Sequence, residues 1–507
     1  MSKSSILKGT IILTLAGFLT RFIGFFYRIY LSNALGAENM GVYQLIFAVY
    51  GICFTLYASG IQTSISRFVA AEVGQNHIKN ARRILKIGLI LSVSIALTCS
   101  IVTYLGSDYI SIHLLAEPRC SDSIKILAFI YPFCGMTACI NGYYYGLKKT
   151  FVPASTQLLE QIVRVISVYF IALYFGNGDN VVTCELAILG VALGEIASDV
   201  YSLLSLLFEN KKANMLSKVT LRLRTIMKEL LKVSIPLTGN RLLLALLHSF
   251  EAILIPIMLK KSGLSTADAL SIYGVLTGMA IPFIMFPSTI TNSFAVMLLP
   301  TVSEAQAVRN NSLIDRTTTM SIKYSLIIGI LSTGIFMIFG NALGVTIYNN
   351  ATAGVYLTVL SWLCPFLYLT TTLSSIINGL GKTHITFFNS IVGLAIRIFS
   401  ILFFIPKYGI AGYLIGTLVS QLAITTLDVA ATYRNIHADF DAVNWLLKPS
   451  IIIAILGYFT YHSYEFLIRT TNLSALLLLF ISCIALTLGY ILCLFVSGAM
   501  SKKEFGK

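Results

Sequence analysis

Fourteen apolar runs, from 6–33 and 40–62 through 229–257 and 269–298 to 447–468 and 474–498, leave this chain few ways to fold. A run of about 20 apolar residues matches the hydrocarbon thickness of a bilayer. There the backbone has to satisfy its own hydrogen bonds, which a helix does within one segment. Charged residues make up 11% of the chain and hydrophobic ones 56%, with a mean hydropathy of +0.83. Soluble domains carry about 25% charged residues. The sequence therefore predicts an all-α integral membrane protein of about fourteen transmembrane helices.

An even number of crossings places both termini on one side. Of the 36 Lys and Arg residues, 25 fall on the terminal side, six on the opposite side and five within spans. By the positive-inside rule the termini are cytoplasmic, so the +15 net charge reports orientation and nucleic-acid binding is not needed to explain it. The first run is too long for a secretory signal, carries Arg21 and lacks a small-residue cleavage site; it reads as an uncleaved span. Nine cysteines lie mostly within apolar runs, with Cys120 and Cys184 near the outer side. Their spacing offers neither a metal site nor a disulfide framework, and they read as small packing residues.

Charge inside the spans is the functional signal. Thr10, Thr14, Gly17, Arg21, Gly24 and Arg28 recur at spacings of four and three, one stripe of one helix. A cation in hydrocarbon costs about 2.5–3.5 kcal/mol on insertion scales, which points to a hydrated or anion-bearing cavity. Similar stripes follow: Gln157, Glu160, Arg164 and Ser167; Ser234, Thr238, Arg241, Ala245 and His248, with Glu251 nearby; Asn389, Gly393, Arg397 and Ser400. Glu195 with Asp199, and Gln421, Thr425 and Asp428, complete the set. Glu160 and Arg164 either line a path or neutralise each other within the helix. Glu195 with Asp199, or Asp428 with Arg397, either face a cavity or pair between helices. Arg28 either faces the cavity or snorkels to the interface. Arg21 and Arg241 have no acidic residue three or four positions away.

An internal repeat organises the chain. Tyr145–Ser167 aligns without a gap on Asn378–Ser400, matching Gly146 with Gly379, Lys149 with Lys382, Thr150 with Thr383 and Arg164 with Arg397. Ile188–Gly194 then echoes Ile410–Gly416. Two pseudo-symmetric six-helix lobes are expected, 1–225 and 226–440, followed by two added spans and a tail over 441–507. Duplicated lobes are a transporter feature, with the substrate path between them. Pro236, Pro256, Pro282 and Pro287 break helical hydrogen bonding in the seventh and eighth spans, as hinges or as packing features.

The segments RFIGFFYR, LGAENMGVYQL, MLLPTVSEA and NGLGKT with IPKYGIAGYLIG resemble the stage V sporulation protein B and MurJ-type lipid II flippase branch of the multidrug/oligosaccharidyl-lipid/polysaccharide (MOP) exporter superfamily. The resemblance spans essentially the whole chain. It implies a MATE-like fold, residence in the bacterial cytoplasmic membrane, and export of an undecaprenyl-diphosphate-linked saccharide, lipid II or a polysaccharide repeat unit, in spore cortex peptidoglycan synthesis. Arg21 and Gly24 fall on the family's first-span RxxG, Arg28 stands one residue beyond its second arginine, and the family's eighth-span arginine has no counterpart.

On this reading Arg21, Arg28 and Arg241 bind the diphosphate. Glu160, Arg164, Glu195, Asp199, His248, Glu251, Arg397 and Asp428 line the cavity or bridge the lobes. The last two spans form an apolar groove for the isoprenoid tail or are peripheral. The protein is not expected to be an enzyme or to hold a metal or cofactor; membrane potential, Na+ or H+ are the candidate drivers, with Asn378 or Asp428 as coupling groups. Rival readings are a cation-coupled multidrug antiporter, which would use the acidic residues, and a membrane glycosyltransferase built on Asp439 and Asp441.

Overall fold

The structure, a computed structural model, describes residues 3–75, 77–175, 182–212, 222–436 and 439–500. The side chain of Thr10 and the basic residues within 213–221 and 501–507 lie outside the described residues. Sixteen main helices follow in order among the described residues. These are α1 (Lys3–Phe54), α2 (Gly60–Gly74), α3 (Ile78–Leu105), α4 (Cys120–Gly146), α5 (Phe151–Phe175), α6 (Cys184–Lys212), α7 (Leu223–Lys261) and α8 (Thr266–Gly274). Then come α9 (Ser288–Ala307), α10 (Asn311–Tyr348), α11 (Ala351–Leu360), α12 (Cys364–Gly379), α13 (Thr383–Phe403), α14 (Ile410–Tyr433), α15 (Lys448–Thr470) and α16 (Ala475–Val496). No strand occurs among the described residues.

With 52 residues, α1 would extend about 78 Å at 1.5 Å per residue, more than twice the roughly 30 Å of a hydrocarbon core. It cannot be one straight crossing. Gly36, at φ 74° and ψ 172°, breaks the helical geometry in a region that side chains beyond glycine rarely adopt. Thirteen stretches among the described residues are long and apolar enough to cross a membrane, the first being Ile12–Gly74. Divided at Gly36, that first stretch supplies two crossings, in agreement with the predicted fourteen. The eighth span is itself interrupted: α8 continues through a π-helical segment (Val275–Ala280) and a short helix (Ile281–Met285) before the chain bends ahead of α9.

Two compact units are present, Met1–Lys260 with Ser265–Gly274, and Lys261–Leu264 with Val275–Lys507. This division falls later than the 225/226 boundary read from the repeat, and the reason is packing. A Cβ on Gly60 would come 2.0 Å from Thr238 Oγ1 and 2.9 Å from the Ser234 carbonyl oxygen, so its lack of a side chain lets α7 lie against the start of α2. Ser249 Oγ donates to the Ala48 carbonyl at 2.7 Å, and Lys260 Nζ to the Ala116 carbonyl at 2.9 Å. A duplication boundary records ancestry, whereas a compact unit forms where buried surface is shared.

The repeat is also visible in three dimensions. The shift that carries Tyr145 onto Asn378 carries Ile65, Val69, Ala81 and Ile140 onto Leu298, Val302, Ile314 and Leu373. The first set belongs to one buried apolar cluster and the second to another, one in each unit. Gly146 packs against Val69 and the Ser66 carbonyl, and its equivalent Gly379 against Val302 and the Leu299 carbonyl. The residues that reverse the chain after these helices, Lys148 (φ 59°) and Gly381 (φ 77°), are equivalent as well. One such pair meets inside the first unit: a Cβ on Gly41 would come 2.2 Å from the Leu270 oxygen, and one on Gly274 2.0 Å from the Ala37 oxygen.

Candidate functional site

Arg241 is placed by two local features. The segment Thr55–Ser59 between α1 and α2 is π-helical, a wider turn often found at functional positions. Gly60, next along, holds α7 close. The Arg241 guanidinium donates through Nη1 to the Ser59 carbonyl (2.7 Å), to Ser59 Oγ (2.7 Å) and to Thr63 Oγ1 (3.1 Å). All three acceptors are neutral, so the charge is oriented but not cancelled. Nη2 and Nε make no hydrogen bond among the described residues, leaving the geometry that grips a carboxylate or phosphate in two places.

Arg21 is exposed and has no ion-pair partner among the described residues. Arg28, half-buried, lies in the electrostatic neighbourhood of Tyr27 and Tyr43, which Arg164 shares. Arg164 forms an ion pair with Glu160 one turn away, the mutual neutralisation that their spacing allowed, while its Nε is buried without a hydrogen bond. Glu195 lies beside this pair and accepts from the Tyr50 hydroxyl at 3.5 Å. Asp199, 1% exposed, accepts from Thr137 Oγ1 at 3.2 Å. Glu195 and Asp199 are thus held by different partners rather than as a pair. His248 Nδ1 stands 3.6 Å from the buried Glu251 carboxylate. Ser59, Thr63, Tyr43 and Tyr50 were not singled out from sequence, although the polar SGIQTS stretch (Ser59–Ser64) within an apolar run was a usable signal.

In the second unit, Asp428 is fully buried. Its two oxygens accept from Asn389 Nδ2 (2.7 Å) and Ser374 Oγ (3.1 Å), so it ties α14 to α13 and α12 and is not engaged with Arg397. Gln421 Nε2 donates to Thr370 Oγ1 at 3.1 Å. These positions are the repeat equivalents of Asp199 and Thr137, so one interhelical contact is kept in both halves with an acid in the first and an amide in the second. Asn378 Oδ1 accepts from Thr386 at 2.7 Å. No group of three or more His, Cys, Asp or Glu residues that could hold a metal occurs among the described residues.

The same unit contains an apolar groove of about 770 Å³, lined by α10, α15 and the start of α12, with Met337, Trp362, Phe366, Ala454 and Tyr458 among its walls. The groove helices interlock reciprocally. Gly334 of α10 receives Ile453 of α15, and Gly457 of α15 receives Ile338 of α10.

In the loop ahead of α15, Asp441 Oδ1 accepts from the Asn444 backbone N–H at 3.0 Å and its other oxygen from the Asn444 amide. These bonds hold its carboxyl below the ordinary aspartate range. Asp441 therefore caps the turn leading into α15, while Asp439 is exposed.

The class these features define is a multi-pass helical membrane protein of duplicated architecture with uncancelled cations in its spans. The chain belongs to the family described as polysaccharide biosynthesis protein, which it matches over residues 6–306. It is similar to the stage V sporulation protein B of Bacillus subtilis (strain 168), with 25% identity over 469 residues covering 90% of this chain and 89% of that one. Its fold is that of MOP-superfamily transporters. A structure titled "Lipid II flippase MurJ, inward closed conformation" superposes with a TM-score of 0.73 at 15% identity, covering 95% of this chain and 98% of the other. A multidrug resistance MATE family transporter in an inward-facing conformation gives 0.66, also at 15% identity, covering 84% and 98%.

Proposed function

We propose that this protein exports an undecaprenyl-diphosphate-linked saccharide across the bacterial cytoplasmic membrane by alternating access, with both termini cytoplasmic. The observation that carries the reading is Arg241, a guanidinium in a membrane span fixed by neutral oxygens, with Nη2 and Nε left for a ligand. A diphosphate supplies both the compensating charge and the paired acceptors. Arg21 adds a second uncancelled charge, and Arg28 a third cation on the same helix. The apolar groove along α15 suits an isoprenoid tail that stays in the lipid phase while the head group moves.

In this mechanism Arg21, Arg28 and Arg241 capture the diphosphate from the cytoplasmic leaflet, the two halves rock, and the head group is released outside. Arg164 and Arg397 line or brace the route. The similarity to the stage V sporulation protein B supports a role in sporulation. The chemistry asked of the protein is binding and movement rather than bond making. Asp441, spent on a cap, gives little support to the glycosyltransferase reading. A drug antiporter needs acids open to its cargo, and Asp199 and Asp428 are already engaged.

The test is reconstitution into liposomes with undecaprenyl-diphosphate-linked substrate and an assay of head groups exposed on the far leaflet. Arg21→Ala and Arg241→Ala, at normal abundance and melting temperature, are expected to lower the rate by about tenfold or more, one lost charge-assisted pair each. An undiminished rate removes that residue from the mechanism. Drug efflux without head-group transfer overturns the proposal.

A further inference from the structure

Beyond the apolar groove, toward the C-terminal ends of α10 and α15, lies a smaller recess of about 280 Å³. The two are continuous, sharing Ile338 and Tyr461. The character of the wall changes between them. The groove is lined by aliphatic and aromatic side chains, whereas the recess brings in Asn341 from α10 and Tyr464, Glu465 and Arg469 from α15. Glu465 and Arg469 stand four residues apart, the spacing at which helical ion pairs form. They make none with each other or with any other charged group among the described residues; Glu465 is instead met by the Tyr461 hydroxyl. The recess thus offers one cation, one anion and an amide side by side at the mouth of an apolar trough.

We propose that this recess binds the head group of a zwitterionic aminophospholipid, with an acyl chain lying in the adjoining groove while the isoprenoid tail of the transported lipid is absent from it. The phosphate faces Arg469 and Asn341, and the ammonium faces Glu465. Charge complementarity selects this occupant. An anionic head group, or the diphosphate of the transported lipid, satisfies Arg469 but meets Glu465 with like charge, and a small ion leaves the groove unused. Acyl chains gain little by exchanging lipid for a protein wall, because both are apolar, so the head-group contacts decide which lipid is retained. In the orientation proposed above the recess opens to the outer leaflet. The assignment does not rest on the transported substrate.

The experiment uses the full chain in detergent, incubated with equal amounts of phosphatidylethanolamine and phosphatidylglycerol of identical chains, with retained lipid counted by native mass spectrometry. The wild-type protein is expected to retain phosphatidylethanolamine over phosphatidylglycerol by about fivefold, the upper range for an exposed ion pair. Glu465→Gln abolishes the preference by raising phosphatidylglycerol retention, and Arg469→Gln lowers retention of both lipids. Ala454→Trp, which fills the groove, lowers phosphatidylethanolamine retention. Arg469 is exposed and Glu465 only half-buried, so their variants are expected to fold, and melting temperature verifies this. Equal retention of the two lipids by the wild type, or a preference that survives both polar substitutions, overturns the head-group site. Unchanged retention by Ala454→Trp overturns the placement of the chain.

Discussion

Arg241 illustrates how a membrane protein keeps a charge useful. A carboxylate partner would have cancelled it; the Ser59 and Thr63 oxygens orient the guanidinium while leaving its charge uncancelled. Arg164 shows the opposite arrangement, its charge returned to Glu160 on the same helix. This distinction yields a sharp expectation. Arg241→Lys preserves the charge but not the planar pair of donors, so transport is expected to fall by about tenfold, close to the alanine variant, if two-point contact to the diphosphate matters. A lysine variant with wild-type rate would show that charge alone suffices. Asp428 belongs to neither group: buried among α12, α13 and α14 and bonded to two neutral donors, it holds a helix trio together.

At the scale of elements, the start of α15 is expected to be acid-sensitive. The Asp441 carboxylate accepts two bonds from Asn444, and its backbone carbonyl accepts the Trp445 N–H at 2.9 Å. The folded-state pKa lies below the ordinary value, which is about 3.9 in unfolded chains. The stabilisation is therefore fully present above that ordinary value and is lost as pH falls through the lower, folded-state one. Hydrogen exchange of the amides of Val443–Leu447 is expected to show protection at neutral pH that fades in this acidic window. Asp441→Ala should show weak protection at every pH. Protection in the wild type that ignores acid would assign the turn's stability to Trp445 packing instead.

At the scale of the whole molecule, the proposed function is movement of charge across a membrane. Two negative charges traversing an inside-negative potential of 100 mV gain about 4.6 kcal/mol, enough to drive export without a nucleotide. The sequence has no GxxxxGK[ST] phosphate loop. Vesicles given an inside-negative potassium diffusion potential are expected to transfer head groups outward faster, and to slow when the potential is collapsed or reversed. A rate indifferent to voltage, but responsive to a Na+ or proton gradient, assigns the drive to ion coupling.

The sequence by itself determined the solvent, the secondary structure and the duplication. Apolar runs of membrane length admit only helices, and Gly146, Lys149 and Arg164 reappear at equivalent places later in the chain. The tertiary structure decided which charges are cancelled and where the compact units divide. The i,i+4 spacing made Glu160–Arg164 legible because both residues share one helix. The oxygens around Arg241 come from a helix far away in the chain and the Asn389 and Ser374 partners of Asp428 from two preceding helices, and no periodicity within one span encodes them. Likewise, the assignment of α7 to the first unit depends on Gly60 leaving room for Thr238, a fact of packing between segments. Local pattern reports what one helix wants; only the packed chain shows which neighbours meet it.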